Sequence, residues 1–95
     1  MDLTRACVVR SAAGRDKGRL FVVIDCDESY VYLCDGRSRS LDNLKRKKIK
    51  HVKFHSVNDT RLGRKLREGE KVTNAEIRRT LKAIEDGNDE KQREE

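Results

Sequence analysis

The 95-residue chain has no proline or tryptophan, and only 35% of its residues are hydrophobic, so burial has to be concentrated in a few segments of one domain. No run approaches the ~20 apolar residues of a membrane span, and the first residues lack the basic-then-apolar pattern of a signal peptide. We therefore expect a cytoplasmic protein with no membrane partner. Because proline is absent, exposed strand edges must be protected by charge.

Cysteine is also scarce: Cys7, Cys26 and Cys34 are odd in number and lie within apolar runs. No two have the spacing of a zinc knuckle, and a Cys-Cys-His site would have to recruit His51 or His55. We interpret the cysteines as small core residues in a reducing compartment and predict no metal site. No nucleophile turn and no carboxylate pair in apolar surroundings is recognisable, so we expect no enzyme, no cofactor and no small-molecule substrate.

Charge is abundant and unevenly distributed. Charged residues make up 42% of the chain, with a formal net charge of +6. Residues 85–95 hold six acids and two bases, a net charge of −4, so residues 1–84 carry +10. A basic body of this kind suits a polyanion, because each Lys or Arg that neutralises a phosphate releases condensed counterions. The simpler alternative is a net charge that only maintains solubility.

The first part of the chain has the pattern of short β-strands. Segments rich in β-branched and aromatic residues are predicted as strands at residues 6–11, 20–26 and 30–34, followed by a weakly extended segment at 37–43 and an alternating strand at 49–54. A loop at 13–18 and the Asp35-Gly36 hairpin signal separate them. Five short strands with tight turns and no intervening helix predict a mainly β fold, a small antiparallel barrel over residues 1–56.

The periodicity changes after residue 56. Leu62 and Leu66 give weak support for a helical turn. Thr73 and Glu76 have the spacing of a capping box, and the following apolar residues lie on one helical face, so a helix is predicted over 74–86 that ends near Gly87. Residues 57–87 are therefore predicted to be a helical extension packed on the barrel. Residues 88–95 contain no apolar residue and are predicted to be a disordered acidic tail.

Three basic groups are the candidate binding residues. The first is a glycine-flanked loop whose backbone can approach a phosphate, the second has two arginines after a hairpin turn, and the third has five cations within six residues. The alternative for each group is a solvated surface turn. The candidate residues are Gly14, Arg15, Lys17, Gly18 and Arg19; Arg37 and Arg39; and Lys45, Arg46, Lys47, Lys48, Lys50 and His51.

The four aromatic residues are too few for a ladder of stacked bases along single-stranded nucleic acid. We expect Phe21 and Phe54 in the core. Tyr30 and Tyr32 share one strand face and are expected in the core, with a small stacking surface as the alternative. Contacts to the backbone of folded, double-helical RNA fit this composition better, because they require charge and shape.

The residues 8–23, Val-Val-Arg-Ser through the Gly14–Arg19 loop to Leu-Phe-Val-Val, resemble a KOW motif, with Gly18 at the position of its glycine. The Asp35-Gly36 turn, the basic run, Lys50-His51-Val52 and the capped helix follow in the order of the ribosomal protein L14e family and its bacterial KOW-domain relatives. The resemblance covers roughly residues 5–84. Ala6 stands where many members have glycine, and the acidic tail has no counterpart in the family.

The resemblance implies an SH3-like barrel that binds ribosomal RNA, and it adds Arg10 to the candidate RNA contacts. The leading hypothesis is therefore an RNA-binding, ribosomal or ribosome-associated protein that is a monomer when free. The alternative is an SH3-like protein-interaction module that docks on the transcription or translation machinery, because such barrels serve both roles.

Overall fold

The computed structural model describes residues 6–56 and 60–87. The elements follow the chain in the order β1 (Val8–Ser11), β2 (Leu20–Cys26), β3 (Tyr30–Cys34), β4 (Lys45–Lys48), a 3-10 helix (Ile49–His51), β5 (Val52–Ser56), α1 (Arg61–Arg67) and α2 (Asn74–Glu85). The predicted mainly β fold is confirmed. The predicted acidic tail at 88–95 lies outside the described residues, as do residues 57–59 at the start of the predicted helical extension.

The five strands form one antiparallel sheet with the order β4-β3-β2-β1-β5. Each strand pairs with a neighbour in the chain except β5, which pairs with β1. Among the described residues no ladder joins β4 to β5, so the sheet is open. Both edges carry exposed basic side chains: β4 is Lys-Arg-Lys-Lys, and β5 exposes Lys53 and His55 on either side of the partly exposed Phe54. Such edges discourage further strand pairing, in place of the missing prolines.

The sheet is strongly curled. In a flat sheet, β4 and β1 would lie about 14 Å apart, because neighbouring strands are separated by about 4.8 Å. The Nζ atom of Lys47 in β4 nevertheless donates to the carbonyl oxygen of Ala13, just after β1, at 2.9 Å. The 3-10 helix reaches the same place, since the amide of Ala12 donates to the carbonyl of His51 at 2.8 Å. The curl therefore brings the β1–β2 loop against the basic strand.

Both faces of the central strands are buried, in two separate clusters. The concave face holds Val9, Phe21, Val23, Val31 and Leu33, all at most 1% exposed. The other face presents alternate residues of the same strands to the helices, where they pack with residues of α1 and α2: Val8, Leu20, Val22 and Cys34, with Leu62, Leu66, Ile77 and Leu81. Burial on both faces explains the nearly continuous apolar run of β2.

Helix α2 begins with the predicted capping box. The Thr73 hydroxyl accepts from the amide of Glu76 at 3.2 Å, and the Glu76 carboxylate accepts from the amide of Thr73 at 2.9 Å. Gly87 follows the helix with a φ of +74°, as expected. α1 is a short helix of seven residues. In the described part of the chain, neither helix has the length and apolar character needed to span a membrane.

Two strand predictions were wrong in detail. The weakly extended segment predicted at 37–43 is a turn and loop, and the fourth strand is instead the basic run Lys45–Lys48. The last strand does not begin at Ile49, because residues 49–51 form the 3-10 helix and β5 runs over Val52–Ser56. Pairing with β3 imposes the extended conformation on four residues with weak intrinsic β-propensity.

Candidate nucleic-acid interface

The loop that joins β1 to β2, residues 12–19, is organised around the carboxylate of Asp16. One oxygen, Oδ1, accepts from the Ser11 hydroxyl at 2.7 Å and from Lys47 Nζ at 2.9 Å. The other, Oδ2, lies 3.8 Å from Lys45 Nζ. The side chains of Asp16 and Lys47 are only 14% and 9% exposed. This segment, which we call the Asp16 loop, is therefore clamped to β4 by a largely buried ion pair.

The electrostatic state of Asp16 follows from these contacts. Partial burial raises the pKa of the carboxyl group. The hydrogen bonds from Ser11 and Lys47 and the positive charges of Lys47 and Lys45 outweigh burial, and the pKa lies below its ordinary value of 3.8. Asp16 is thus an anion at neutral pH, which keeps two of the predicted RNA-binding lysines occupied.

The second turn, residues 35–39, is organised around Asp35 in the same way. Asp35 is only 7% exposed, and its Oδ1 accepts from the amides of Arg37 and Arg39 at 2.8 and 2.9 Å. Gly36 has a φ of +76° and lies so close to α2 that a Cβ atom would be 2.5 Å from the carbonyl oxygen of Asn74. Arg78 of α2 donates to the Gly36 carbonyl at 2.7 Å. This Asp35 turn is therefore fixed against the start of α2.

The Asp16 loop and the Asp35 turn are neighbours, and the Asp16 loop also contacts strand β4, which carries most of the third basic group. A guanidinium nitrogen of Arg19, at the end of the Asp16 loop, lies 3.7 Å from the carboxylate of Asp35. Lys45 and Lys47 contact the loop from its other side. Two aspartates that lie among the predicted cations, Asp16 and Asp35, thus connect the first basic group to residues of the second and third groups.

Only some of these cations lack an ion pair with an acidic side chain among the described residues. Arg15, Lys17 and Arg37 are exposed, and within the described residues they form no ion pair. Arg10 is half-buried: it donates to the Gly18 carbonyl and lies 3.8 Å from Glu85. Arg39 is half-buried and faces no described acid closely enough for an ion pair.

The glycines of the Asp16 loop are exposed and have positive φ angles, +87° at Gly14 and +91° at Gly18. This is a conformation that side chains with a Cβ adopt at a cost, so glycine sets the shape of the loop. At Gly18 a Cβ atom would meet nothing within 4 Å, so space is left open above the backbone.

The basic strand β4 divides its cations between two faces. Lys45 and Lys47 point toward Asp16, whereas Arg46 and Lys48 are exposed on the other face. The guanidinium carbon of Arg46 lies 4.3 Å from the ring centre of Tyr30, a cation–π contact. Lys50 is exposed in the 3-10 helix, and His51 is half-buried. The alternation of the strand, rather than its total charge, decides which of these cations a ligand can reach.

The aromatic residues only partly follow the prediction. Phe21 is buried, but Phe54 on the edge strand β5 is 43% exposed. Tyr30 and Tyr32 are half-buried on one face of β3. The Tyr32 hydroxyl donates to Asp27 at 3.0 Å, and this hydrogen bond raises the pKa of Tyr32 above its ordinary value. The amides of Ser29 and Tyr30, together with that hydroxyl, lower the pKa of Asp27. The surface alternative for the two tyrosines fits better than the core.

Helix α2 contributes side chains that the sequence did not single out. A groove of about 400 Å³ runs between the end of the Asp16 loop, the Asp35 turn and the C-terminal half of α2. We call it the helix groove. Among its lining residues are Gly18, Arg19, Arg37, Arg78, Leu81 and Glu85. The one sequence signal for Arg78 and Lys82 is their spacing of four, which places both on one side of a helix.

The three cysteines form no disulfide bond in the part of the chain that the structure describes; Cys7 and Cys34 are buried and Cys26 is half-buried. Burial raises the pKa of the Cys34 thiol. In the described ranges no three His, Cys, Asp or Glu side chains are grouped so that they could hold a metal ion.

A scan against models of protein families finds none that matches this chain, and a search of curated proteins also finds no match.

Proposed function

We propose that this chain binds structured RNA, with Arg15, Lys17 and Arg37 as the principal phosphate contacts. The observation that carries the proposal is that these three cations are exposed on two adjacent turns and form no ion pair with any residue that the structure describes. Each turn has a fixed conformation, because Asp16 and Asp35 each accept several hydrogen bonds. A pre-organised turn loses little backbone entropy when its cations meet a phosphate backbone.

The remaining candidates have different roles in this proposal. Lys45 and Lys47 hold the Asp16 loop in place, so the single negative charge of Asp16 offsets one of their two positive charges before RNA binds. Arg46, Lys48 and Lys50 extend the positive surface beyond the two turns. The RNA expected here is double-helical or otherwise folded, because few aromatic side chains are available for stacking.

We also propose that the curled sheet is an SH3-like barrel of the KOW type, and that the RNA is ribosomal. Support comes from the five-stranded antiparallel order, from the 3-10 helix that joins the two edge strands, and from the motifs that resemble the L14e family. The resemblance places Gly18 at the position of the KOW glycine, and Gly18 lies in an exposed loop at the edge of a groove.

The experiment compares two variants of equal charge change in a fluorescence-anisotropy titration with a structured RNA. Arg15→Ser/Lys17→Ser removes two of the proposed contacts, and we expect affinity to fall about tenfold at ~0.1 M salt. Lys71→Ser/Arg79→Ser removes one lysine and one arginine that are exposed elsewhere, and we expect a much smaller loss. Equal losses for the two variants would show that net charge, and not the two turns, determines binding.

A protein-interaction module is the second candidate, and the exposed aromatic ring of Phe54 on an edge strand favours it. A pull-down from a cell extract before and after nuclease treatment separates the two functions. Partners that persist after RNA removal and are lost with Phe54→Ser support docking on a protein. Partners that disappear with the nuclease support RNA binding.

A further inference from the structure

We propose that the helix groove accommodates one unpaired nucleotide of the bound RNA and prefers bases that carry an exocyclic amino group. The inference rests on the proposed RNA binding and specifies part of its ligand. Arg37, one of the three exposed cations, also lines the groove. A phosphate held by Arg37 therefore places the adjoining nucleotide at the groove entrance.

The groove has the volume and the apolar surface that a nucleobase requires. Its volume of about 400 Å³ falls within the range of small-ligand sites. Leu20 and Leu81, which are 6% and 7% exposed, contribute its apolar surface. The backbone at Gly18 is uncovered, since a Cβ atom there would have no neighbour within 4 Å. A flat, weakly polar base face can thus approach both the leucines and the main chain.

The turn-side wall of the groove is cationic. Arg19 has a side chain that is 54% exposed and is oriented by Asp35 at 3.7 Å. Arg78 uses one guanidinium nitrogen for the Gly36 carbonyl, which leaves its other N–H donors available. Guanidinium groups stack on bases and bind phosphates in a forked geometry, so this wall suits a nucleotide better than an uncharged ligand.

The opposite wall carries carboxylates. Glu85 and Asp86 line the groove at the end of α2, and their known ion pairs, with Arg10 at 3.8 Å and Lys82 at 3.3 Å, leave acceptor positions free. A carboxylate only accepts hydrogen bonds, so it favours the amino groups of cytosine, adenine and guanine. Uracil has no amino group and offers a carboxylate only its N3–H, which lies between two carbonyl oxygens that a carboxylate repels.

The test uses four hairpin RNAs: a perfectly paired stem and the same stem with a single cytidine, uridine or abasic bulge. We expect the cytidine bulge to bind about fivefold or more tightly than the uridine bulge, and the abasic bulge to bind like the paired stem. Glu85→Gln/Asp86→Asn should abolish the cytidine–uridine difference while retaining affinity for the stem. Glu68→Gln/Glu70→Gln, which neutralises two exposed acids outside the groove, should keep the difference.

The outcomes distinguish the two proposals. Stem binding with no preference for any bulge overturns the groove inference and leaves the RNA-binding proposal standing. No binding to any of the four RNAs overturns both. Each variant should have the melting temperature of the wild-type protein. This control establishes that a change in preference does not come from misfolding. If the Glu85→Gln/Asp86→Asn protein still discriminates cytidine from uridine, the assignment of the carboxylate wall is wrong.

Discussion

Replacing Asp16 by alanine removes the carboxylate that clamps the β1–β2 loop to strand β4. The variant leaves Lys47, whose side chain is 9% exposed, with the carbonyl of Ala13 as its remaining contact. The ammonium group then stays largely desolvated without a counter-charge. It also loses the hydrogen bond of 2.9 Å to Asp16. We therefore expect a loss of stability well above that of an ordinary surface substitution.

The magnitude follows from the burial of the pair. Removing one partner of a fully buried ion pair costs about 3–5 kcal/mol, and a hydrogen bond to a charged group contributes about 1.5–3 kcal/mol. Because the Asp16 side chain is 14% exposed, water can partly take its place beside Lys47 in the variant. We therefore expect the free energy of unfolding to fall by about 2–3 kcal/mol. For a domain of this size, that loss lowers the melting temperature by about 10–20 °C.

Urea and thermal unfolding measure the effect, with Asp42→Ala as the control. Asp42 is an exposed carboxylate, and its substitution should change stability by less than about 0.5 kcal/mol. Lys47→Met in the Asp16→Ala background removes the stranded charge, so the double variant should be more stable than Asp16→Ala alone. A destabilisation no larger than that of Asp42→Ala, or strictly additive effects in the double variant, would refute the clamp.

Three further predictions concern the same elements. Gly36→Ala should destabilise by about 2 kcal/mol or more and Gly69→Ala by about 1 kcal/mol in urea unfolding, because both have a φ of +76° but only Gly36 has a backbone atom 2.5 Å from the added Cβ. Because the pKa of Asp16 is lowered on folding, its contribution is fully present above pH 3.8 and lost as the pH falls through the folded value. A pH series of melting temperatures should therefore decline less steeply below pH 3.8 in Asp16→Ala than in wild type. Arg37→Ser should weaken RNA affinity severalfold in a titration, whereas Lys71→Ser should leave it within about twofold of wild type, because Arg37 lies on the proposed binding turns and Lys71 is exposed elsewhere.

The parts of the fold that local sequence determines were predicted well. β2 and β3 have the predicted bounds, and the capping box of Thr73 and Glu76 marks the start of α2. These elements depend on short-range patterns of apolar residues and on one side-chain hydrogen bond. Strand β4 depends instead on its pairing with β3, and four consecutive cations give no local sign of a strand.

The same distinction applies to the turn at Asp35. The segment after it was predicted to be extended. The carboxylate of Asp35 instead accepts hydrogen bonds from two backbone amides, which fold the chain back on itself. Phe54 alternates with polar residues as a buried residue would, yet it lies on an edge strand and is 43% exposed. Burial at an edge depends on the neighbouring elements and not on the alternation itself.

The candidate site was predicted as a set of charges but not as an arrangement. The basic groups were evident from their spacing, and the structure brings the first into contact with the Asp35 turn and with Lys45 and Lys47. Which cations are free could not be predicted, because Asp16 and Lys47 are separated by 31 residues and meet only through the curl of the sheet. Counting charge therefore overestimates the number of cations that are open to a ligand, because Asp16 and Asp35 pair with Lys45, Lys47 and Arg19.

The salt dependence of RNA affinity tests the central claim most directly. A log–log plot of association constant against salt concentration should be steep for the wild-type protein. For Arg15→Ser/Lys17→Ser/Arg37→Ser we predict that the slope becomes shallower by about 2–3, since each phosphate contact contributes about 0.7–0.9. Lys71→Ser/Arg79→Ser should keep the wild-type slope. A wild-type slope near zero, or the same slope in the triple variant, would contradict RNA binding through the two aspartate-held turns.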